Sequence, residues 1–306
     1  MRNLASRICV APLVGLLIAL GCAGGEPSTR AEASAENAAE VARNPQKDAY
    51  FGDLHVHSAW SLDAWAFGVR VTPEAAYRYA RGEAIDHVSG AKIRLAGRPL
   101  DFVALTEHAN YLGFHEWLEE GSDAATVPQL LRDLVSSDAA VARDANVRMF
   151  ADMAVNTPVA ELLVSDASIA STWRRIVELA DRNNVPGEFT AFVAYEYTPM
   201  PEGQNLHRNV VFRGSRVPER PFSSLESMNP EDLWDWMDAV RGSGGDVLAI
   251  PHNQNGSNGL MYETVNWAGA PIDAAYATQR VRNEPVSEVM QIKGQSEAHP
   301  ALSPDD

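Results

Sequence analysis

Cysteine is nearly absent from this 306-residue chain, and the two present, Cys9 and Cys22, fall within the first 22 positions. The rest of the chain therefore has no disulfide framework and no thiolate metal site, so any metal there must be held by His, Asp or Glu. Basic charge is scarce too: 25 Lys and Arg stand against 41 Asp and Glu, a formal net charge of −16. That balance excludes a general phosphate-backbone binder, and no nucleic-acid partner is expected. It does not exclude a phosphate-bearing substrate, because bound metal ions reverse the local sign. There is no Gly-x-Ser-x-Gly elbow, and no cysteine in the mature fold to act as a nucleophile. With 45% hydrophobic and 22% charged residues, the chain can still bury a sizeable core.

The first residues read as an address. Arg2 and Arg7 precede an uncharged run, Ile8–Gly21, that is too short to span a bilayer but suits a secretory h-region. It ends Ala19-Leu20-Gly21-Cys22, which resembles a bacterial lipobox. The resemblance implies cleavage before Cys22 and lipidation of its thiol, with ordinary signal-peptidase cleavage nearby as the alternative. Loss of residues 1–21 would remove two arginines and take the net charge from −16 to −18. Ala23–Lys47 is Ala, Glu, Ser, Pro and Gly with almost no large apolar residue, so it reads as a disordered tether. The expected organisation is a lipoprotein-type signal peptide at 1–21, a tether at 22–47 and one folded domain at 48–306. The expected location is the periplasm or cell envelope, membrane-anchored.

In the folded part, short runs rich in β-formers alternate with helical stretches. The strands are expected at Ala49–Leu54, Leu100–Thr106, Phe189–Tyr195, Asn209–Phe212, Val247–Pro251 and Val286–Ile292. Pro73–Arg81 reads as a helix with Thr72 as N-cap and Pro73 at N1, and Val127–Ala142, Ser171–Asn183 and Pro230–Val240 show helical spacing. This alternation predicts an α/β fold with a largely parallel sheet, open or barrelled, and a mostly helical insertion over 121–168.

The histidines gather where the strands end. His55 and His57 follow the first strand, His108 the second, Glu196 the third and His252 the fifth. In parallel α/β folds the C-terminal strand ends share one face, where sites are built. Residues i and i+2 of a strand point the same way, so His55 and His57 can grip one ion together. His207 stands at the start of a strand, which predicts that this strand runs the other way. A single core histidine is usually a satisfied buried polar group, but five at strand ends with Glu196 point to metal. His87 and His115 lack comparable settings.

Gly52-Asp53-Leu54-His55-Val56-His57-Ser58, then Asp63, then Val103-Ala104-Leu105-Thr106-Glu107-His108 resemble the polymerase and histidinol phosphatase (PHP) superfamily. Asp63–Gly68, Tyr79–Glu83, Ile250–Asn253 and Val289–Glu297 are similar to a member family, domain of unknown function 3604. The resemblance covers about residues 49–306. It implies a distorted PHP-type (β/α)7 barrel with up to three divalent metals, Zn, Mn or Fe. It implies His55, His57, Asp63, His108, Glu196, His207 and His252 as ligands, with Glu107 in place of the aspartate of a Thr-Asp-His motif. The superfamily's closing Asp-x-His has no counterpart here. Glu297-Ala298-His299 has the spacing but belongs to a different stretch, so an incomplete barrel that ends early is expected.

The chemistry expected of such a site is hydrolysis of a small-molecule phosphate ester by metal-bound hydroxide, with His55, His57, His108 and Glu196 in the catalytic set. Arg208 could clamp the substrate oxyanion and Asn253 could hydrogen-bond it, although a solvated strand residue and turn chemistry explain each as well. Asp53 could orient a ligand from behind. Trp60, Trp65, Phe67 and Tyr111 are core or pocket lining, core being the simpler account. Trp234 and Trp236 sit two apart on a helix, so they cannot share a face. An amidohydrolase-type C–N or C–O hydrolase is one alternative. A non-catalytic lipoprotein that binds metal or ligand is the other.

Overall fold

The computed structural model describes residues 46–119, 122–154, 159–291, 294–296 and 301. The signal segment, Cys22, nearly all of the tether, Glu297 and His299 lie outside the described residues. The strands are β1 (Gly52–Val56), β2 (Ile85–Asp86), β3 (Lys92–Ile93), β4 (Phe102–Leu105), β5 (Thr190–Tyr197), β6 (Arg208–Phe212), β7 (Val247–Pro251), β8 (Met290–Gln291) and β9 (Gly294–Gln295). The α-helices among the described residues are α1 (Leu62–Ala66), α2 (Pro73–Ala80), α3 (Gln129–Leu134), α4 (Ala139–Ala154), α5 (Asp166–Asn183), α6 (Pro230–Gly242) and α7 (Ala274–Asn283).

The fold is mixed α/β, built on a curled five-stranded half-barrel sheet in the order β1-β4-β5-β6-β7. β1, β4 and β5 pair in parallel, whereas β6 is antiparallel to both β5 and β7. The expectation of a largely parallel sheet is thus met on one side only: two of the four pairings are antiparallel. Reversal of β6 leaves β1, β4, β5 and β7 pointing the same way, so the start of β6 shares an edge with the ends of the other four. At the far side of this edge, β1 and β4 approach closely at Gly52, where a Cβ would stand 2.1 Å from the Phe102 carbonyl oxygen.

The sixth expected strand, Val286–Ile292, does not join the sheet. Its described part supplies only β8, paired with β9 in a small hairpin. One backbone bond, Glu288 N–H to the Pro251 carbonyl at 2.9 Å, ties the segment to the end of β7.

Thr72 caps α2 by accepting the Ala75 N–H, with Pro73 at N1. The expected helix Val127–Ala142 is two helices, broken at Val135–Asp138. Asp138 accepts the N–H of Ala140 at 2.9 Å and so starts α4 afresh. α5 begins five residues before the expected start because Ser165 accepts the Ser168 N–H. The main core packs α2, α5 and α6 against one sheet face through Trp173, Ile176, Tyr195, Phe212, Trp234 and Met237. A separate core inside the insertion joins Leu130, Leu131, Met149 and Leu162 to Trp65, Tyr111 and Phe114, so Trp65 and Tyr111 are core residues. Trp234 is buried, while Trp236 is half-buried on the ring of Phe222.

Candidate metal centre

Glu196, in the last turn of β5, is 1% exposed and sits at the middle of five imidazoles. Its Oε2 lies 2.9 Å from His57 Nε2 and 3.5 Å from His55 Nε2. Its Oε1 lies 2.8 Å from His207 Nδ1, 3.3 Å from His252 Nε2 and 3.6 Å from His108 Nδ1. Asp63, carried on α1, stands 3.4 Å from His57 Nδ1 and 3.3 Å from His108 Nε2. Five strands and one short helix therefore bring all seven expected ligands to one place. The reversal of β6 is what delivers His207, since Tyr197 of β5 pairs with Arg208 and Arg208 with Pro251.

The rings are held from behind. His55 Nδ1 donates to Glu288 Oε2 at 2.9 Å, turning Nε2 toward Glu196. His57 Nδ1 meets Ser61 Oγ at 2.9 Å and His252 Nδ1 points at the Ile250 carbonyl at 3.3 Å, whereas on His108 it is Nδ1, the nitrogen that faces Glu196, that meets Thr198 Oγ1 at 2.5 Å while Nε2 faces Asp63. Ser61 Oγ also accepts the His108 N–H, so one hydroxyl ties the end of β1 to the end of β4. Partners of this kind orient metal-bound imidazoles. Glu107 lies apart from the cluster, fully buried, and its carboxylate accepts the Ser58 N–H at 3.0 and 3.2 Å. It anchors the turn after β1, and burial pushes its carboxyl up despite those bonds.

Protonation follows position. Burial opposes charge at His55, but the hydrogen bonds to Glu196 and Glu288 outweigh it and raise this imidazole to about 9. His57 is also raised against its burial, by Asp63 and Glu196. His207 has only Glu196 to offset burial and is lowered to about 4, and burial lowers His252 too, with Glu196 and Glu288 only partly offsetting it. Burial disfavours charge on Glu196 as well, yet the surrounding imidazoles hold its carboxyl well below the usual range.

Two groups have ligand atoms that all lie within 4.8 Å of one another: His55, Glu196 and His252, and His57, His108 and Glu196. His207 joins neither, although it touches Glu196. The donor set is imidazole and carboxylate, which suits Zn, Mn or Fe. Three buried atoms at the centre lack a well-aligned hydrogen bond among the described residues: Glu196 Oε2 and Asp63 Oδ1, which have only the His55 and His57 rings beside them, and His207 Nε2. Buried polar atoms without partners are costly, and a cation beside them would satisfy them. The residues present therefore fit a divalent metal.

A family model described as a protein of unknown function (DUF3604) matches residues 44–306. The chain belongs to the DUF3604 family. Comparisons with curated proteins and with solved structures returned no match.

In this DUF3604 protein a cavity of about 1290 Å³ opens over the cluster. All seven expected ligands line it. Two other expected site residues do not. Arg208 alternates with His207 along the chain and faces away, where its Nε donates to Glu284 at 2.7 Å and its guanidinium also reaches the Leu206 carbonyl. Both partners are 2% exposed, so Arg208 belongs to a buried ion pair and not to an oxyanion clamp. Asn253 is buried outside the cavity, near Gln291 Nε2 at 3.4 Å. Asp53 lines the cavity but accepts the backbone N–H of His55 rather than a ring N–H. His115 is a core residue stacked on Trp60 at 4.2 Å, and His87 binds Ser89 on the surface. The residues that sequence reasoning missed are Glu288, Ser61 and Thr198. Of these, Glu288 lay within an expected strand, Val286–Ile292.

Proposed function

We propose that this DUF3604 protein is a metal-dependent hydrolase of the PHP type, acting as a phosphoesterase on a small-molecule ester. The curled half-barrel is then part of a distorted (β/α)7 barrel, with the ligands at its strand ends. The observation that carries the reading is Glu196: a buried carboxylate flanked by five imidazoles, lining a large cavity. Divalent ions bound there supply an acidified water and positive charge for a developing phosphoryl oxyanion. Glu196 bridges the two ligand groups, His55 and His252 complete one, and His57 and His108 complete the other. Asp63 stands beside the second group. Glu288, Ser61 and Thr198 keep three of the rings in register. Asn205, on the cavity wall, offers a neutral amide to a substrate oxygen, whereas the Asn209 amide donates to the Leu54 carbonyl. Amidohydrolases often bridge their metals with a carbamylated lysine, and no lysine lines the cavity among the described residues, which favours the phosphoesterase side.

The proposal includes export and a lipid anchor at Cys22, supported by Arg2, Arg7 and the uncharged run that follows them. No helix among the described residues is long and apolar enough to cross a membrane.

The test is metal stoichiometry joined to turnover. Protein purified without chelator is expected to carry two divalent ions per chain by plasma mass spectrometry and to hydrolyse an activated phosphate ester. His57→Ala should lower both occupancy and rate, the rate by roughly 100-fold or more. Full turnover in a metal-free His57→Ala variant would sink the proposal, as would a metal-loaded wild type inert toward all esters.

A further inference from the structure

Four carboxylates line the cavity, those of Asp53, Asp63, Glu196 and Glu288, and no lysine or arginine lines it among the described residues. Two divalent ions in the two His/Glu groups would balance those four negative charges and leave no surplus. The nearest expected cation, Arg208, is committed to Glu284 on the other side of its strand. A doubly charged phosphomonoester would therefore enter a site with no protein cation to meet its second charge, and desolvating such a charge unpaired is expensive.

The walls above the ligands are apolar. Phe67, at the end of α1, is 70% exposed, Phe150, on α4, is 37% exposed, and Met290, in β8, is 72% exposed. These residues come from three distant parts of the chain, yet all three line the same cavity, with Met149 and Met200 beside them. Large exposed apolar side chains converging on one mouth mark a place where an apolar group is taken out of water. At about 1290 Å³ the cavity exceeds the usual range for drug-sized ligands, so it has room for more than a bare phosphate.

We propose that the substrate is a singly charged phosphodiester bearing at least one bulky apolar or aromatic group, which Phe67, Phe150 and Met290 grip while the phosphate sits over Glu196. This rests on the phosphoesterase reading for the position of the phosphate. Hydrolysis would break one P–O ester bond, water adding its oxygen to phosphorus and a proton to the departing alcohol, and it would yield a monoester of higher charge. That product is suited to leave an uncharged wall and a charge-balanced floor.

Binding tests this separately from turnover. The full zinc-loaded chain is titrated calorimetrically with diphenyl phosphate, methyl phenyl phosphate and phenyl phosphate. Diphenyl phosphate should bind at least about 10-fold more tightly than either of the others, one lacking the second ring and the other carrying the second charge. The double variant Phe67→Ala, Phe150→Ala should lose roughly 10-fold in diphenyl phosphate affinity and leave dimethyl phosphate, which carries no ring, within about 2-fold. Both positions are exposed enough for the variant to fold, which melting with metal bound would verify. Equal or tighter binding of phenyl phosphate overturns the charge argument, and an unchanged double variant overturns the apolar wall. If diphenyl phosphate binds as described but bis(4-nitrophenyl) phosphate is never cleaved, the cavity assignment stands and the hydrolase reading falls. If esters are cleaved with phosphomonoesters preferred, the hydrolase reading stands and this inference falls.

Discussion

At the scale of single residues, the site depends as much on groups behind the ligands as on the ligands. Glu288 illustrates this, because its bond to His55 Nδ1 fixes which ring nitrogen faces Glu196. Glu288→Ala should weaken metal binding about 10- to 100-fold, while Glu288→Gln, whose amide oxygen can still accept, should keep most of it. Competition against a chelating dye measures both, and equal affinity in the Ala variant would reduce Glu288 to a surface carboxylate. A buried histidine outside the site gives the pH counterpart. His115, stacked on Trp60, is lowered to about 4 by burial and by Arg175, with Glu119 only partly offsetting them. Its folded value lies below the ordinary 6.5, so the unfolded chain takes up the proton first as pH falls. The contribution is intact above pH 6.5 and is lost between 6.5 and 4, amounting to about 2 kcal/mol by pH 5. His115→Phe keeps the stack and removes the titration. Its urea-unfolding stability should therefore fall less than that of the wild type between pH 7.5 and pH 5, and parallel declines would refute the assignment.

At the scale of elements, β6 explains both what could be read from the sequence and what could not. Histidines after β1, β4 and β7 were legible because strand runs end visibly and a parallel sheet collects its C-terminal ends. His207 was legible as the mark of a reversed strand. Arg208 carried its own signal in the two-residue period: if His207 faces the site, its neighbour faces away. The expected oxyanion clamp therefore conflicted with the strand geometry already inferred. Glu288 was harder to find, because its place depends on α7 returning the chain beside β7, a long-range arrangement with no local period. The break between α3 and α4 was hidden by continuous helical spacing, which Ser136 and Asp138 interrupt through their own side-chain bonds. The buried pair of Arg208 and Glu284 links β6 to the end of α7 and is joined by Trp234 Nε1 and Arg280. Glu284→Ala should cost about 3–5 kcal/mol, because it strands the Arg208 charge in the interior, and Arg208→Met should cost less, because Arg280 and Trp234 still bond Glu284. The double variant should cost less than the two added together, and in every folded variant metal stoichiometry should be unchanged. Loss of metal in folded Arg208→Met would return Arg208 to the site.

At the scale of the whole molecule, five strand ends converge on charges that need one another. Without metal, raised His55 and His57 face the lowered carboxyls of Glu196 and Asp63, so the cluster has internal ion pairs to fall back on. The main core of α2, α5 and α6 on the sheet does not pass through the cluster. Metal removal should therefore weaken the fold without abolishing it. An ion present at about 1,000 times its dissociation constant stabilises the native state by about 4 kcal/mol. For a domain of this size each kcal/mol moves the melting point by roughly 2–4 °C, so each ion lost on chelation should lower it by roughly 8–16 °C. Far-ultraviolet circular dichroism at 25 °C should stay native, and adding back zinc should restore the melting point. Unfolding at 25 °C on chelation would show that the ions, not the helix-on-sheet core, hold the five strands together. No shift despite proven metal loss would show that the ion pairs of His55 and His57 with Glu196 and Asp63 satisfy the cluster without metal.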